Sequence, residues 1–136
     1  MSVLHDLAAE LRAGGGLLAS ATVDPQPDAD TEVAQLAGAA HALAAEAIHE
    51  GALLHYAQGR VLHSEEEDLE LLAGDRLFAL GLDRLAAMGD LEAIAVLSDV
   101  IADCARAAAE DRPDDIATAW RRGAAAIGRA PEAADQ

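Results

Sequence analysis

Leucines at positions 4, 7 and 11 recur at spacings of three and four. This predicts a short amphipathic helix over residues 2–13, ended by Gly14-Gly15-Gly16. A second apolar patch, Leu17 to Val23, runs into Asp24-Pro25-Gln26-Pro27-Asp28, a loop by composition, and Asp30 or Thr31 is placed to cap the next helix. That helix, predicted over 31–57, is apolar around most of its girth. Leu36, Leu43, Ala47 and Leu54 form one line and Ala45, Ile48 and Ala52 another, while Glu32, Gln35, Glu46 and Glu50 make a narrow polar stripe. A helix of this kind belongs at the centre of a bundle.

Gln58-Gly59 ends the central helix, and Ser64 followed by Glu67 reads as a capping box, with Glu65 and Glu66 suited to a positive helix end. A short helix through Leu69, Leu71 and Leu72 is predicted next, broken or kinked at Gly74-Asp75, then a helix to about Met88. Gly89-Asp90 is a further stop and cap. The helix predicted over 91–110 turns Ile94, Leu97, Ile101, Cys104 and Ala108 inwards and Glu92, Asp99, Asp103, Arg106 and Glu110 outwards. Arg112-Pro113 ends it, and Asp114 caps a last helix to about Arg129. The chain reads as one all-α domain, 1–136. It comprises an N-terminal helix and Pro/Gly loop (1–30), core helices (31–130) and a tail (131–136).

Composition supports helices: 52% of the 136 residues are hydrophobic but only 2% aromatic, the apolar content being mainly Ala and Leu. A formal charge of −16 repels a phosphate backbone or an anionic membrane surface, which argues against nucleic-acid binding. A single cysteine, Cys104, forms no internal disulfide. With no basic region followed by an apolar run at the start and no uninterrupted apolar stretch of ~18 residues, the expectation is a soluble, cytoplasmic protein without membrane insertion.

Few residues suggest chemistry. Glu46-Ala-Ile-His49 is an E-x-x-H, whose side chains share a helix face and can bind one ion; di-iron bundles use this motif twice, and here it occurs once. A polar pair packed at a helix interface is the competing reading. His41, Ile48 and His55 repeat every seven residues, the spacing of a packed seam. The acids Glu65 to Asp68 point in different directions along a helix, Asp99 and Asp103 share a solvated face, and Cys104 has no adjacent base. The glycines at 14–16 lack the Lys-Ser/Thr of a phosphate loop. On its own residues the chain presents no recognisable active site, and no catalytic, cofactor or metal residue is assigned beyond the Glu46/His49 alternative.

Three stretches carry a resemblance: Ala45-Glu46-Ala47-Ile48-His49-Glu50-Gly51-Ala52-Leu53-Leu54-His55, Leu71-Leu72-Ala73-Gly74-Asp75-Arg76-Leu77-Phe78-Ala79-Leu80, and Leu85-Ala86-Ala87-Met88-Gly89-Asp90-Leu91-Glu92-Ala93. In this order they resemble the trans-prenyl diphosphate synthase family. The first is similar to the helix leading into the family's first aspartate-rich motif, the second to its L-A-G-D-x-L segment. The likeness covers about residues 40–110. It implies a truncated half of the isoprenoid synthase fold.

The resemblance also implies what is missing. In the family the histidine matching His55 is followed by D-D-x-x-D, whose carboxylates hold Mg²⁺ against an allylic diphosphate. Here those positions are Tyr56, Ala57 and Arg60. The family's R-R-G before L-A-G-D is absent; Arg121-Arg122-Gly123 lies after it, so its role is not carried over. The second aspartate-rich motif has no counterpart within the 136 residues.

The sequence resembles the small component of two-component hexaprenyl or heptaprenyl diphosphate synthases. The expected function is a non-catalytic subunit that stabilises a catalytic synthase subunit and influences product chain length, with Mg²⁺ bound in that partner. A stand-alone helical interaction module and a metal-binding bundle using Glu46 and His49 remain as alternatives. A homo-oligomer is expected in isolation. The apolar line through Leu54 is the expected interface, where a charged residue should weaken folding or assembly.

Overall fold

The computed structural model describes residues 2–129; the tail expected at 131–136 lies outside them. Seven helices make up the described part: α1 (Val3–Ala13), α2 (Gly16–Ala21), α3 (Glu32–Ala37), α4 (Ala42–Tyr56), α5 (Glu67–Ala87), α6 (Leu91–Ala109) and α7 (Pro113–Arg129). The all-α class holds, with no strand among the described residues. One isolated antiparallel bridge, Thr22 with Leu62, ties the loop after α2 to the loop after α4. It is flanked by Val23 N–H to the Val61 carbonyl (2.8 Å) and His63 N–H to the Ala21 carbonyl (3.0 Å).

The helix expected over 31–57 is two helices. Gly38 takes φ +87°, a left-handed conformation that ends α3, and α4 begins four residues later. The apolar pattern continues across this break because Ala39 and Ala40 keep it apolar, so periodicity does not register the turn. The break frees α3 to pack against α7. Leu36 therefore lies on a different helix from Leu43 and Leu54 and is partly exposed.

α4 is the central element. Ala44, Ala45, Ile48 and Ala52 join a core with Leu85, Leu97, Val100, Trp120 and Ile127 from α5, α6 and α7. Ala47 and Leu54 join a second core with Leu4 and Leu7 of α1, Val61, Leu62 and Leu77. The chain thus covers its central helix with its own residues. Leu54 is 5% exposed, so a charge there disrupts this chain's core before it affects any assembly.

α5 is continuous through Gly74, where a break was expected. Gly74 is instead a point of contact with α4. A Cβ at Gly51 would lie 2.7 Å from the Gly74 carbonyl oxygen, and one at Gly74 would lie 2.9 Å from the Gly51 carbonyl oxygen. A Cβ at Gly81 would meet the Ala44 carbonyl oxygen at 2.8 Å. Missing side chains, not turn geometry, explain these glycines: α4 and α5 touch backbone to backbone.

The expected capping box at Ser64 and Glu67 does not form. α5 starts at Glu67, the Ser64 hydroxyl accepts from Glu66 N–H (3.1 Å), and Ser64 N–H donates to Glu70 (3.0 Å). The buried seam of α6 is Ala93, Leu97, Val100, Cys104 and Ala107; Ile94 and Ile101 lie at its edge, and Ala108 is exposed. The stop at Gly89-Asp90 is as expected. Gly89 has φ +74°, and the Asp90 carboxylate accepts from Ala93 N–H (3.0 Å) and pairs with His41 (2.6 Å). These contacts, the Ala93 amide first, hold the Asp90 carboxyl below its ordinary range. α7 opens on Pro113, whose missing N–H costs nothing at a first helical position, so Asp114 sits inside the first turn and is not its cap.

If α4 and α5 depend on this approach, Gly51→Ala or Gly74→Ala should lower stability by about 1–3 kcal/mol through overpacking. This should outweigh the ~1 kcal/mol that alanine gains over glycine in a helix. Urea unfolding measures it, with Gly14→Ala as the near-neutral comparison, since its Cβ would come no closer than 3.6 Å to the neighbouring backbone.

Candidate functional site

The two glutamates of the expected polar stripe, Glu46 and Glu50, are 0% exposed. Two carboxylates buried on one face of α4, one turn apart, would destabilise the fold unless countered by charge and hydrogen bonds. Arg60, from the loop after α4, supplies the charge. Its Nε donates to Glu50 Oε1 at 3.1 Å, and its Nη2 lies 2.9 Å from Glu46 Oε1 as an ion pair without hydrogen-bond alignment. Its Nη1 donates to the Asp30 carbonyl at 2.7 Å, tying in the segment before α3.

Glu50 is also a backbone organiser. Its Oε2 accepts the N–H groups of Arg60 (2.7 Å), Val61 (2.8 Å) and Leu62 (3.2 Å). One buried oxygen therefore satisfies three successive amides and fixes the turn from which the Arg60 side chain returns. A Cβ at Gly59 would lie 2.6 Å from this same oxygen, so the turn needs glycine for room.

Glu46 does the same for the chain before it. Its Oε2 accepts from Ala34 N–H of α3 (3.1 Å), and its Oε1 faces His49 Nδ1 (3.1 Å) as well as Arg60. Burial disfavours its charge, but the His49 hydrogen bond and the charges of Arg60 and His49 outweigh that and hold its carboxyl below the ordinary 4.5. The His49 ring sits 4.8 Å from the Trp120 indole, centroid to centroid. The expected E-x-x-H pair is thus present, but both Glu46 oxygens are occupied by protein donors. Among the described residues no group of three or more His, Cys, Asp or Glu side chains could hold a metal ion.

The three positions at which the sequence resemblance expects aspartates separate. Tyr56 ends α4, partly exposed, and its phenol is raised above its ordinary value by burial first and then by the charges of Cys104 and Asp75. Ala57 is exposed. Arg60 turns inward, its side chain 10% exposed. They form no common face. His55 pairs with Asp75 of α5 (3.0 Å) and stacks on Phe78 with centroids 5.3 Å apart and planes at 4°.

Other candidates resolve into local pairs. Asp103 meets Arg106 (3.1 Å), Arg121 meets Glu32 (2.9 Å), and Gly123 is buried in α7. Cys104 is buried, and burial first, then the Asp103 charge, push its thiol up to about 11, with an opposing contribution from the Trp120 indole; a thiolate is disfavoured.

The sequence reading missed the Arg60 network. Its partners lie 10 and 14 positions earlier, outside any helical spacing. The one available signal was a pair of acids on an otherwise apolar helix followed by an isolated arginine.

No family model, curated protein or solved structure matches the chain. No helix among the described residues is long and apolar enough to cross a membrane.

Removing Arg60 leaves two buried carboxylates without their guanidinium, so Arg60→Met should cost about 3–5 kcal/mol in chemical denaturation. The pH dependence has a definite sign. The depressed Glu46 carboxyl adds stability that is present above 4.5 and lost as pH falls through its lower folded-state value. Urea midpoints should decline on acidification below this point in the native chain, with a smaller decline in Glu46→Gln.

Proposed function

We propose that the chain is the non-catalytic small subunit of a heteromeric trans-polyprenyl diphosphate synthase, supporting a catalytic subunit that holds the Mg²⁺ and both aspartate-rich motifs. The inward-turned Arg60 carries the reading. The position where the resemblance expects a Mg²⁺-binding carboxylate is a cation, committed to Glu46 and Glu50. Chemistry that neutralises a diphosphate with bound Mg²⁺ needs free carboxylates converging on one face. Tyr56, Ala57 and Arg60 offer none.

The packing of the resembling stretches against each other also supports the reading. Gly51 from the first meets Gly74 from the second, and His55 meets Asp75. A pair of helices resembling the synthase framework is thereby kept while the metal ligands are replaced. In this proposal the framework serves association: the subunit stabilises its partner and helps shape the cavity for the growing isoprenoid chain. No cofactor is assigned to this chain. A cytoplasmic setting follows from this role.

Co-expression with a candidate D-D-x-x-D subunit, followed by size exclusion and a prenyltransfer assay, tests the proposal. The purified chain alone should yield no Mg²⁺-dependent product from isopentenyl and allylic diphosphates, and the pair should co-elute with higher activity than the catalytic subunit alone. Product from the isolated chain, or failure to co-elute with any candidate, would overturn it.

Restoring carboxylates separates two effects. Tyr56→Asp with Ala57→Asp should fold and stay inactive. Adding Arg60→Asp should unfold the chain, because a third acid replaces the guanidinium of the buried network. Circular dichroism and the same assay report both outcomes.

A further inference from the structure

A groove of about 850 Å³ runs between the α1–α2 corner and the outer face of α5. Leu54 and Leu62 lie on its floor, and Leu17 and Leu72 stand at its rim, 55% and 53% exposed. Large apolar side chains this exposed on opposite walls of one groove are characteristic of a surface that buries a partner. The stretch of α5 along it, Leu69 to Asp83, spans about 21 Å at 1.5 Å per residue, the length of roughly four helical turns.

The charge around the groove is one-sided. Glu10, Glu70 and Asp83 line it against one arginine, Arg76, and the exposed acids Glu65 to Asp68 extend it at the N-terminal end of α5. Glu10 is paired with Arg84, but Asp83 has no ion-pair partner within the described residues, nor do Glu66, Glu67 and Asp68. A second copy of the chain would bring the same acids and a further charge of −16. An apolar floor with acidic borders is complementary to a helix whose apolar stripe is flanked by Lys or Arg.

We propose that this groove is the docking site for an amphipathic, basic-flanked helix of the partner subunit, with Leu17 and Leu72 closing over its apolar anchors. The partner's identity rests on the subunit reading above; the groove's chemistry does not.

A fluorescently labelled Leu/Lys amphipathic peptide of about four helical turns is the probe, read by fluorescence anisotropy at physiological salt. Leu72→Glu and Leu17→Glu should each weaken binding at least about tenfold, equal to about 1.4 kcal/mol. Each substitution adds a negative charge, so attraction by bulk acidity alone would tighten binding. Leu91→Glu makes the same chemical change at a 76% exposed leucine outside the groove and should not weaken it.

Circular dichroism confirms folding of all three. Peptide binding undiminished in both groove variants would overturn the proposal, as would a dimer of the native chain that Leu72→Glu abolishes, since a second copy would then be the occupant. Co-elution with the catalytic subunit distinguishes the two levels. If that subunit binds Leu72→Glu as well as the native chain, the groove assignment fails and the subunit reading stands. If it binds neither, the subunit reading fails while the peptide result still decides the groove.

Discussion

Two glutamates without solvent access, on the helix that joins both cores, set the terms for the rest of this structure. Glu46 and Glu50 are tolerable at 0% exposure because Arg60, His49, Ala34 N–H and three consecutive amides at 60–62 converge on them. The requirement dictates connections that hydrophobic burial would not. It brings the loop after α4 back over its own helix, seats α3 against Glu46, and ties the segment before α3 through the Asp30 carbonyl. That loop then forms the bridge from Leu62 to Thr22 and places Leu62 in the α1 core. Buried ion pairs add little net stability compared with an apolar core, but breaking one is costly. The network therefore specifies how these segments meet more than it strengthens their packing.

The backbone contact between α4 and α5 is a second constraint. Gly51, Gly74 and Gly81 bring the axes close enough that His55 reaches Asp75 and stacks on Phe78. The close approach turns one face of α5 to α4. The opposite face, carrying Leu72, Arg76 and Asp83, is left to the groove. Core and surface roles of one helix thus follow from where its glycines fall.

Helix positions were largely legible from the sequence because they depend on local spacing and punctuation: Gly14 to Gly16 follow the end of α1, and Gly89-Asp90 separates α5 from α6, as expected. The failures share a cause. Gly38 breaks a helix whose apolar pattern continues, Gly74 continues one whose composition suggests a stop, and the α6 seam is Val100 and Ala107 where Ile101 and Ala108 were expected. In each case the neighbouring helix decides: α7 receives α3, α4 receives Gly74, and α7 packs on Val100. Glu46 and Glu50 read only as members of a narrow polar stripe for the same reason. Their counter-charge comes from a turn that only the folded chain brings back, so the centre of the candidate site was the part least accessible to spacing arguments.

Arg60 is locked inside the protein, where the resemblance would place a residue facing solvent or metal. Its Nε–H can be observed directly in a ¹H–¹⁵N NMR spectrum. The structure predicts a resolved Arg60 Nε–H signal, protected from exchange with water and lost or displaced in a Glu50→Gln variant that remains folded. A signal averaged with solvent-exposed arginines, unchanged by Glu50→Gln, would show a free guanidinium and contradict the account.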